Sequence, residues 1–198
     1  MEKSLHSSLH LSTRQLTAVG MLSAISIILG FTPLGYIPIP PVSATIMHVP
    51  VIIGALIEGP EVGFLIGLIF GISSIVQSIM KPTVLSFLCL NPLVSVLPRV
   101  LIGITTYYSF KLIKVKNTAL RTSISAFIGS ATNTVGFLFM VFLIYLGPYA
   151  KSLGISEKAA KIGIATIGFT NGIPEAIVSI LITVPVVIAV RKIRKIKD

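Results

Sequence analysis

The chain has 198 residues, 54% of them hydrophobic and 11% charged, with a formal net charge of +10. Soluble domains carry roughly 25% charged residues, so this composition and a mean hydropathy of +0.97 exclude an ordinary soluble domain and describe a polytopic membrane protein. The positive balance does not point to nucleic acid, because the cations cluster at the ends of apolar segments, where they set membrane orientation.

Residues 1–13 read as a polar tail with no cleavable-signal pattern, and His6 and His10 read as solvated. The first span runs from Arg14 to Phe31. Gly20 and Ala24 lie four apart in it, a small-xxx-small pair that lets another helix approach, in this chain or in a partner. Residues 32–47 follow, and Pro33, Pro38, Pro40 and Pro41 exclude a regular helix there. The stretch is nevertheless apolar and uncharged, whereas a solvated linker is polar. Tyr36, Ile37, Pro38 and Pro40 are therefore expected to fold back as a lid over a pocket, with passive packing as the alternative.

The second span, His48 to Ile57, is short for a crossing. Glu58 and Glu61 flank the Gly59-Pro60 turn and are read as solvated capping groups rather than an acid–base pair. The third span covers Val62 to Ile79, and Gly63, Gly67 and Gly71 give it a flat face for close helix packing. A loop over 80–90 holds the single cysteine, Cys89, which has no disulfide partner and no metal partner at ligand spacing.

The fourth span, Asn91 to Leu112, carries Arg99 near its middle. A cation at membrane depth costs about 2.5–3.5 kcal/mol on insertion scales, so it should face a protein interior. Asn91, Ser95 and Arg99 are spaced i, i+4, i+8 and predict one polar helix face. That face reads either as a pocket for a small, anionic solute or as half of a structural ion pair. The fifth span runs from Thr118 to Leu146, and Asn133 lies in its polar middle, where it needs hydrogen-bond partners. Residues 147–161 read as the longest hydrophilic loop, with a short helix after Ser156. In the sixth span, Ile162 to Val190, Asn171, Glu175 and Ser179 repeat the polar stripe, and Pro174 predicts a kink. Residues 191–198 form a basic tail.

Six spans, in one domain over 1–198, place both termini on the same side. Eleven of the 16 lysines and arginines fall on that side and four on the other, so both termini are expected in the cytoplasm. The proline-rich lid is then extracellular, and the two polar stripes open outward beneath it. No GxSxG, HExxH or Walker motif occurs, so the chain reads as neither an enzyme nor an ATPase, with no cofactor of its own. Energy must come from an ion gradient or another subunit, and internal repeats of a secondary carrier are not evident. Arg99 and Glu175 either pair with each other or divide a ligand between them. In the second case the planar Arg fork takes a carboxylate and Glu175 takes a hydroxyl or amide.

The run TIMHVPVIIGALIEGPEVGFLIGLIFGISSIVQ at 45–77, the block NPLVSVLPRVLIG at 91–103 and Gly20-xxx-Ala24 together resemble the substrate-binding S components of energy-coupling factor (ECF) vitamin transporters. The resemblance covers nearly the whole chain and is closest to members assigned to pantothenate. It implies a six-helix fold in a bacterial-type plasma membrane, a vitamin bound near the outer surface under the first loop, and coupling to a T subunit and two ATPases that use ATP. It implies that Gly20 and Ala24 match the Ala-xxx-Ala motif facing the T subunit, with Gly in place of the first Ala. Asn91, Ser95, Arg99, Asn133, Asn171 and Glu175 are the candidate substrate-binding residues. Riboflavin or another vitamin is the alternative ligand. A stand-alone secondary carrier is the competing class, followed by a membrane enzyme or a scaffold.

Overall fold

The computed structural model describes residues 11–38, 43–83 and 85–194. Among the described residues the eight α-helices are α1 (Thr13–Phe31), α2 (Val49–Glu58), α3 (Pro60–Met80), α4 (Ser86–Cys89), α5 (Pro92–Ser95), α6 (Leu97–Leu112), α7 (Thr118–Leu153) and α8 (Glu157–Ile193). Between α1 and α2 lie a single 3-10 turn, Pro33–Gly35, and two short strands, β1 (Tyr36–Ile37) and β2 (Ala44–Thr45), paired antiparallel. Among the described residues, five helical stretches are long and apolar enough to cross a membrane, and α2 is a shorter apolar helix. This is a multi-pass membrane protein.

α2 is the middle of the bundle. It is apolar on every side, and such a helix is stable only when surrounded. Val51, Ile52 and Ala55 are completely buried, and α1, α3, α6 and α8 all pack on it. Its 10 residues span about 15 Å, half of a hydrocarbon core of about 30 Å. The irregular chain just before it is held to α1 by the Ser26 hydroxyl, which donates to the Met47 carbonyl at 2.9 Å.

The glycine face of α3 does what its spacing predicts, and its partner is the α5–α6 segment. A β-carbon at Gly63 would lie 2.9 Å from the Cα of Gly103, and one at Gly71 would lie 2.7 Å from the Cα of Val96. A β-carbon at Gly67 would collide with the backbone carbonyl of Arg99. Backbone thus lies against backbone, which fixes where Arg99 emerges from its helix.

The helices gather their basic ends together. Glu58, at the end of α2, accepts from Arg14 of α1 at 2.9 Å and from Arg194 just past α8. Gln15 donates to the Glu58 backbone carbonyl at 3.2 Å, and a Ser12–Gln15 capping box starts α1. Glu58 is therefore a buried hub and not the solvated cap expected from the turn; Glu61, in the first turn of α3, is exposed. The turn sequence hid this because both arginines come from distant parts of the chain.

Three further expectations are corrected. The hydrophilic loop over 147–161 is mostly helix: α7 runs on to Leu153 and α8 begins at Glu157. Gly154 ends α7 in the left-handed conformation at φ 65°, and Ser156 caps α8 by accepting from the Ala159 N–H at 3.2 Å. A polar helix end and a polar loop have the same composition, and Pro148 sits inside α7 without ending it. Next, α8 does not end at Val190 but reaches into the basic tail as far as Ile193, with Pro174 and Pro185 inside it. Last, the fourth span, Pro92–Leu112, is not a regular helix throughout: α5 stops at Ser95 and α6 starts at Leu97, with Val96 between them still in the right-handed helical region. Of the lid residues, Pro40 lies outside the described residues, as do residues 1–10 and 195–198 of the tails.

Candidate ligand-binding site

Pro98 explains both the break in the fourth span and the position of the Arg99 side chain. Proline has no N–H to return to the carbonyl four residues earlier. The Val94 carbonyl is thereby left without its helical donor, and at membrane depth such a group needs another partner. Arg99 supplies it: Nη1 donates to the Val94 oxygen at 3.0 Å. The guanidinium is so pulled back along its own helix. Its carbon lies 4.8 Å from the centre of the Phe137 ring and 5.8 Å from that of Phe70, distances at which a cation and a ring attract.

The guanidinium lines a cavity of about 170 Å3 together with Asn133, Thr134 and Phe137 of α7, Asn171 and Glu175 of α8, and Ser43 and Thr45 beside and within β2. Four of the six predicted binding residues meet here: Arg99, Asn133, Asn171 and Glu175. The i, i+4 spacing on α8 gives Asn171 and Glu175 a common face, and α7 presents Asn133 and Thr134 to them.

Glu175 is held by three donors. One carboxylate oxygen accepts from the Thr45 N–H at 2.7 Å and the Thr45 hydroxyl at 2.9 Å, and the other accepts from the Thr134 hydroxyl at 2.6 Å. Asn171 Nδ2 donates to the Ser43 carbonyl at 3.2 Å. The chain leading into α2 is thus fastened to α8 from both sides of Ala44. Arg99 and Glu175 make no ion pair with each other, so the structural pairing read from the sequence is not formed.

Two buried side-chain atoms of the residues that line this cavity have no protein partner. Arg99 Nε is a donor without an acceptor, and Asn133 Oδ1 is an acceptor without a donor. Leaving such a group unpaired costs about 1–3 kcal/mol, more if charged. His48, read as a helix start, is the residue before α2, and its ring is completely buried against Ser130, with Nε2 3.1 Å from the hydroxyl oxygen.

Asn91 and Ser95 go elsewhere. Asn91 caps α5 by accepting from the Leu93 N–H at 3.0 Å and donates to the Tyr145 hydroxyl at 3.2 Å. Ser95 is buried and donates to the Gly71 carbonyl at 3.5 Å. Both lie on the run that leads to Arg99, but their hydrogen bonds go to the start of α5, Tyr145 and the Gly71 carbonyl, and neither lines the cavity. Thr45, Thr134 and Phe137 were missed. Thr134 was in view, in the polar run around Asn133. Phe137 is four residues from Asn133, and only the helical period could have put it on the list.

A larger cavity, about 670 Å3, lies on the other side of β2. The end of α1, Tyr36, the end of α3 and the α4 region enclose it, and it shares Ser43, Thr45 and Phe137 with the smaller one. It has the volume of a ligand pocket, whereas the smaller cavity has the convergent polar groups. Tyr36 donates to the Gly30 carbonyl at 3.5 Å. Partial burial, with a lesser contribution from Cys89, raises its phenol above the ordinary pKa, so it stays protonated at neutral pH. Lys81 donates to the Phe31 carbonyl at 3.2 Å and closes the end of α1.

Residues 14–187 match the family described as ECF transporter, substrate-specific component. The chain belongs to this family. A relative, the pantothenic acid transporter PanT of Lactococcus lactis subsp. cremoris (strain MG1363), is 33% identical over 168 residues, which cover 78% of this chain and 81% of that protein. As an S component, the chain is a transport subunit that binds a substrate. On α1, Gly20 and Ala24 are both exposed, and nothing lies within 4 Å of a β-carbon placed on Gly20.

Proposed function

We propose that this chain captures pantothenate outside the cell and delivers it inward with a T subunit and two ATPases. The observation that carries the ligand is the pair of unpartnered polar atoms, Arg99 Nε and Asn133 Oδ1, on two residues that line one cavity. A carboxylate satisfies the first and a hydroxyl or amide N–H the second. Pantothenate has one carboxylate, two hydroxyls and an amide. The name of the Lactococcus relative supports the same choice.

In this reading the molecule spans the membrane six times with both termini in the cytoplasm, and the β1–β2 segment is the outward lid. The lid is seated with β2 partly in the place of the ligand. Ligand pockets hold about 300–1,000 Å3, and the cavity at Arg99 holds only about 170 Å3. Moving β2 off Glu175 and Asn171 joins the two cavities and frees both side chains for the ligand. Asn171, Glu175, Asn133 and Arg99 are the binding set, and Tyr36, Ile37 and Pro38 travel with the lid. The open face at Gly20 and Ala24 is the T-subunit contact.

Equilibrium titration of the purified, detergent-solubilised chain with pantothenate, with riboflavin in parallel, tests the ligand. Saturable binding of pantothenate alone is expected. Riboflavin binding without pantothenate binding removes the ligand assignment and the carboxylate role of Arg99 together. For the partner contact, Ala24→Trp is expected to abolish uptake by the assembled transporter and leave binding intact. Loss of both removes the contact assignment.

A further inference from the structure

The cations around the connection between α6 and α7 have no part in that reading. Residues 113–117 close a cavity of about 360 Å3 lined by Lys111, Lys114, Lys116 and Arg121 and by no acidic residue. Other cations at this end of the molecule have a counter-charge: Arg14 and Arg194 both sit on Glu58. Among the described residues, Lys111, Lys114 and Lys116 have no ion pair or hydrogen bond.

Arg121 differs from the lysines because it is held in place. Its Nε donates to the Phe110 carbonyl, and its guanidinium carbon lies 4.0 Å from the centre of the Phe110 ring. Arg191 approaches the same ring at 5.3 Å. Beside these charges, Leu112, Val115 and Leu120 are exposed.

Membrane orientation accounts for the sign of the charge here. It requires neither a cavity nor a guanidinium fixed on an aromatic ring, and it does not place apolar side chains at the rim. The cavity joins the ends of two candidate spans, Pro92–Leu112 and Thr118–Leu153, so it faces the layer of lipid headgroups. We propose that it binds the phosphate of an anionic phospholipid. The Arg121 fork supplies directed donors to the phosphate oxygens, the three lysines surround it with charge, and Leu112, Val115 and Leu120 meet the acyl chains. A lipid fits better than a free anion because only a lipid uses the apolar rim as well as the cations.

The test is native mass spectrometry of the full chain in an uncharged detergent, titrated with phosphatidylglycerol or with phosphatidylcholine of the same acyl chains. Phosphatidylglycerol should bind at least about tenfold more tightly. Juxtamembrane cations contribute about fivefold in affinity each, so Lys111→Gln, Lys114→Gln and Lys116→Gln together should weaken it about 100-fold. Neutralising Lys151, Lys158 and Lys161, which lie near the α7–α8 turn, should change it less than about twofold. Lys114→Gln alone, in the connection and outside any helix, should cost about fivefold and serves if the triple variant does not fold. Equal binding of the two lipids overturns the proposal, and so does an equal loss in both triple variants. Displacement of phosphatidylglycerol by an equal concentration of inorganic phosphate replaces the lipid with a free anion.

Discussion

Glu58 and Glu175 are both buried carboxylates, 8% and 5% exposed, yet they sit in opposite surroundings. At the basic end, Glu58 meets two arginines and a neighbouring Gln15, and its charge is matched within the protein. At the other end, Glu175 is hydrogen-bonded by two hydroxyls and one N–H, while Arg99, lining the same cavity, makes no ion pair with it. A matched pair ties helices together and asks for nothing more. An unmatched cation and an unmatched acceptor on residues that line one cavity are destabilising until a third molecule arrives. The comparison therefore sets a structural end against the proposed binding end.

The strongest way to break the contrast is to disturb the surface that positions Arg99. Gly67→Leu puts a side chain into the Arg99 backbone. Overpacking of this kind typically costs 1–3 kcal/mol and more when backbone must shift, so about 3 kcal/mol is expected here. Thermal unfolding in detergent should show a large fall in midpoint with loss of pantothenate binding; an unchanged midpoint means that α3 and α6 do not pack as described.

Glu58→Gln is the next in size. Hydrogen bonds to charged groups contribute about 1.5–3 kcal/mol, and the exposure of Arg14, 64% at its side chain, reduces that to about 1–2 kcal/mol. Thermal stability should fall by this amount while the pantothenate Kd stays within about twofold. A Kd that moves with the midpoint would show the two ends to be coupled.

Thr45→Val removes one hydroxyl from Glu175 and keeps the backbone N–H bond. One hydrogen bond to a carboxylate fewer should make β2 easier to lift, and stopped-flow association of pantothenate should speed up by about tenfold. A slower rate indicates that Thr45 contacts the ligand and does not compete with it. Asn91→Ala should have the smallest effect, less than about twofold in Kd by the same titration, because Asn91 serves the start of α5 and Tyr145. A tenfold loss would return Asn91 to the site.

Much of this was legible in the sequence. The apolar runs gave the membrane helices, the four-residue glycine period gave the α3 face, and the i, i+4 spacing put Asn171 with Glu175. Helical periodicity carries such information because it is local. What it could not carry is contact between distant residues. Arg14, Glu58 and Arg194 are far apart in the chain, and nothing in a Glu-Gly-Pro-Glu turn announces two arginines. The fourth span shows the same limit: its i, i+4 spacing does not reveal that the Val94 carbonyl, left without a donor by Pro98, takes the Arg99 side chain. Asn91 and Ser95, on the same run, bond instead to Tyr145 and to the Gly71 carbonyl.

The central claim is that Arg99 reads a carboxylate. Calorimetric titration of the native chain and of Arg99→Ala, each with pantothenate and with the analogue whose carboxylate is replaced by an alcohol, tests it most directly. A charge-assisted bond of about 1.5–3 kcal/mol predicts that the native chain prefers pantothenate by about 10–100-fold. Arg99→Ala should lose that preference and bind both ligands alike. A native chain that binds the acid and the alcohol equally well, or a variant that keeps the preference, contradicts the account.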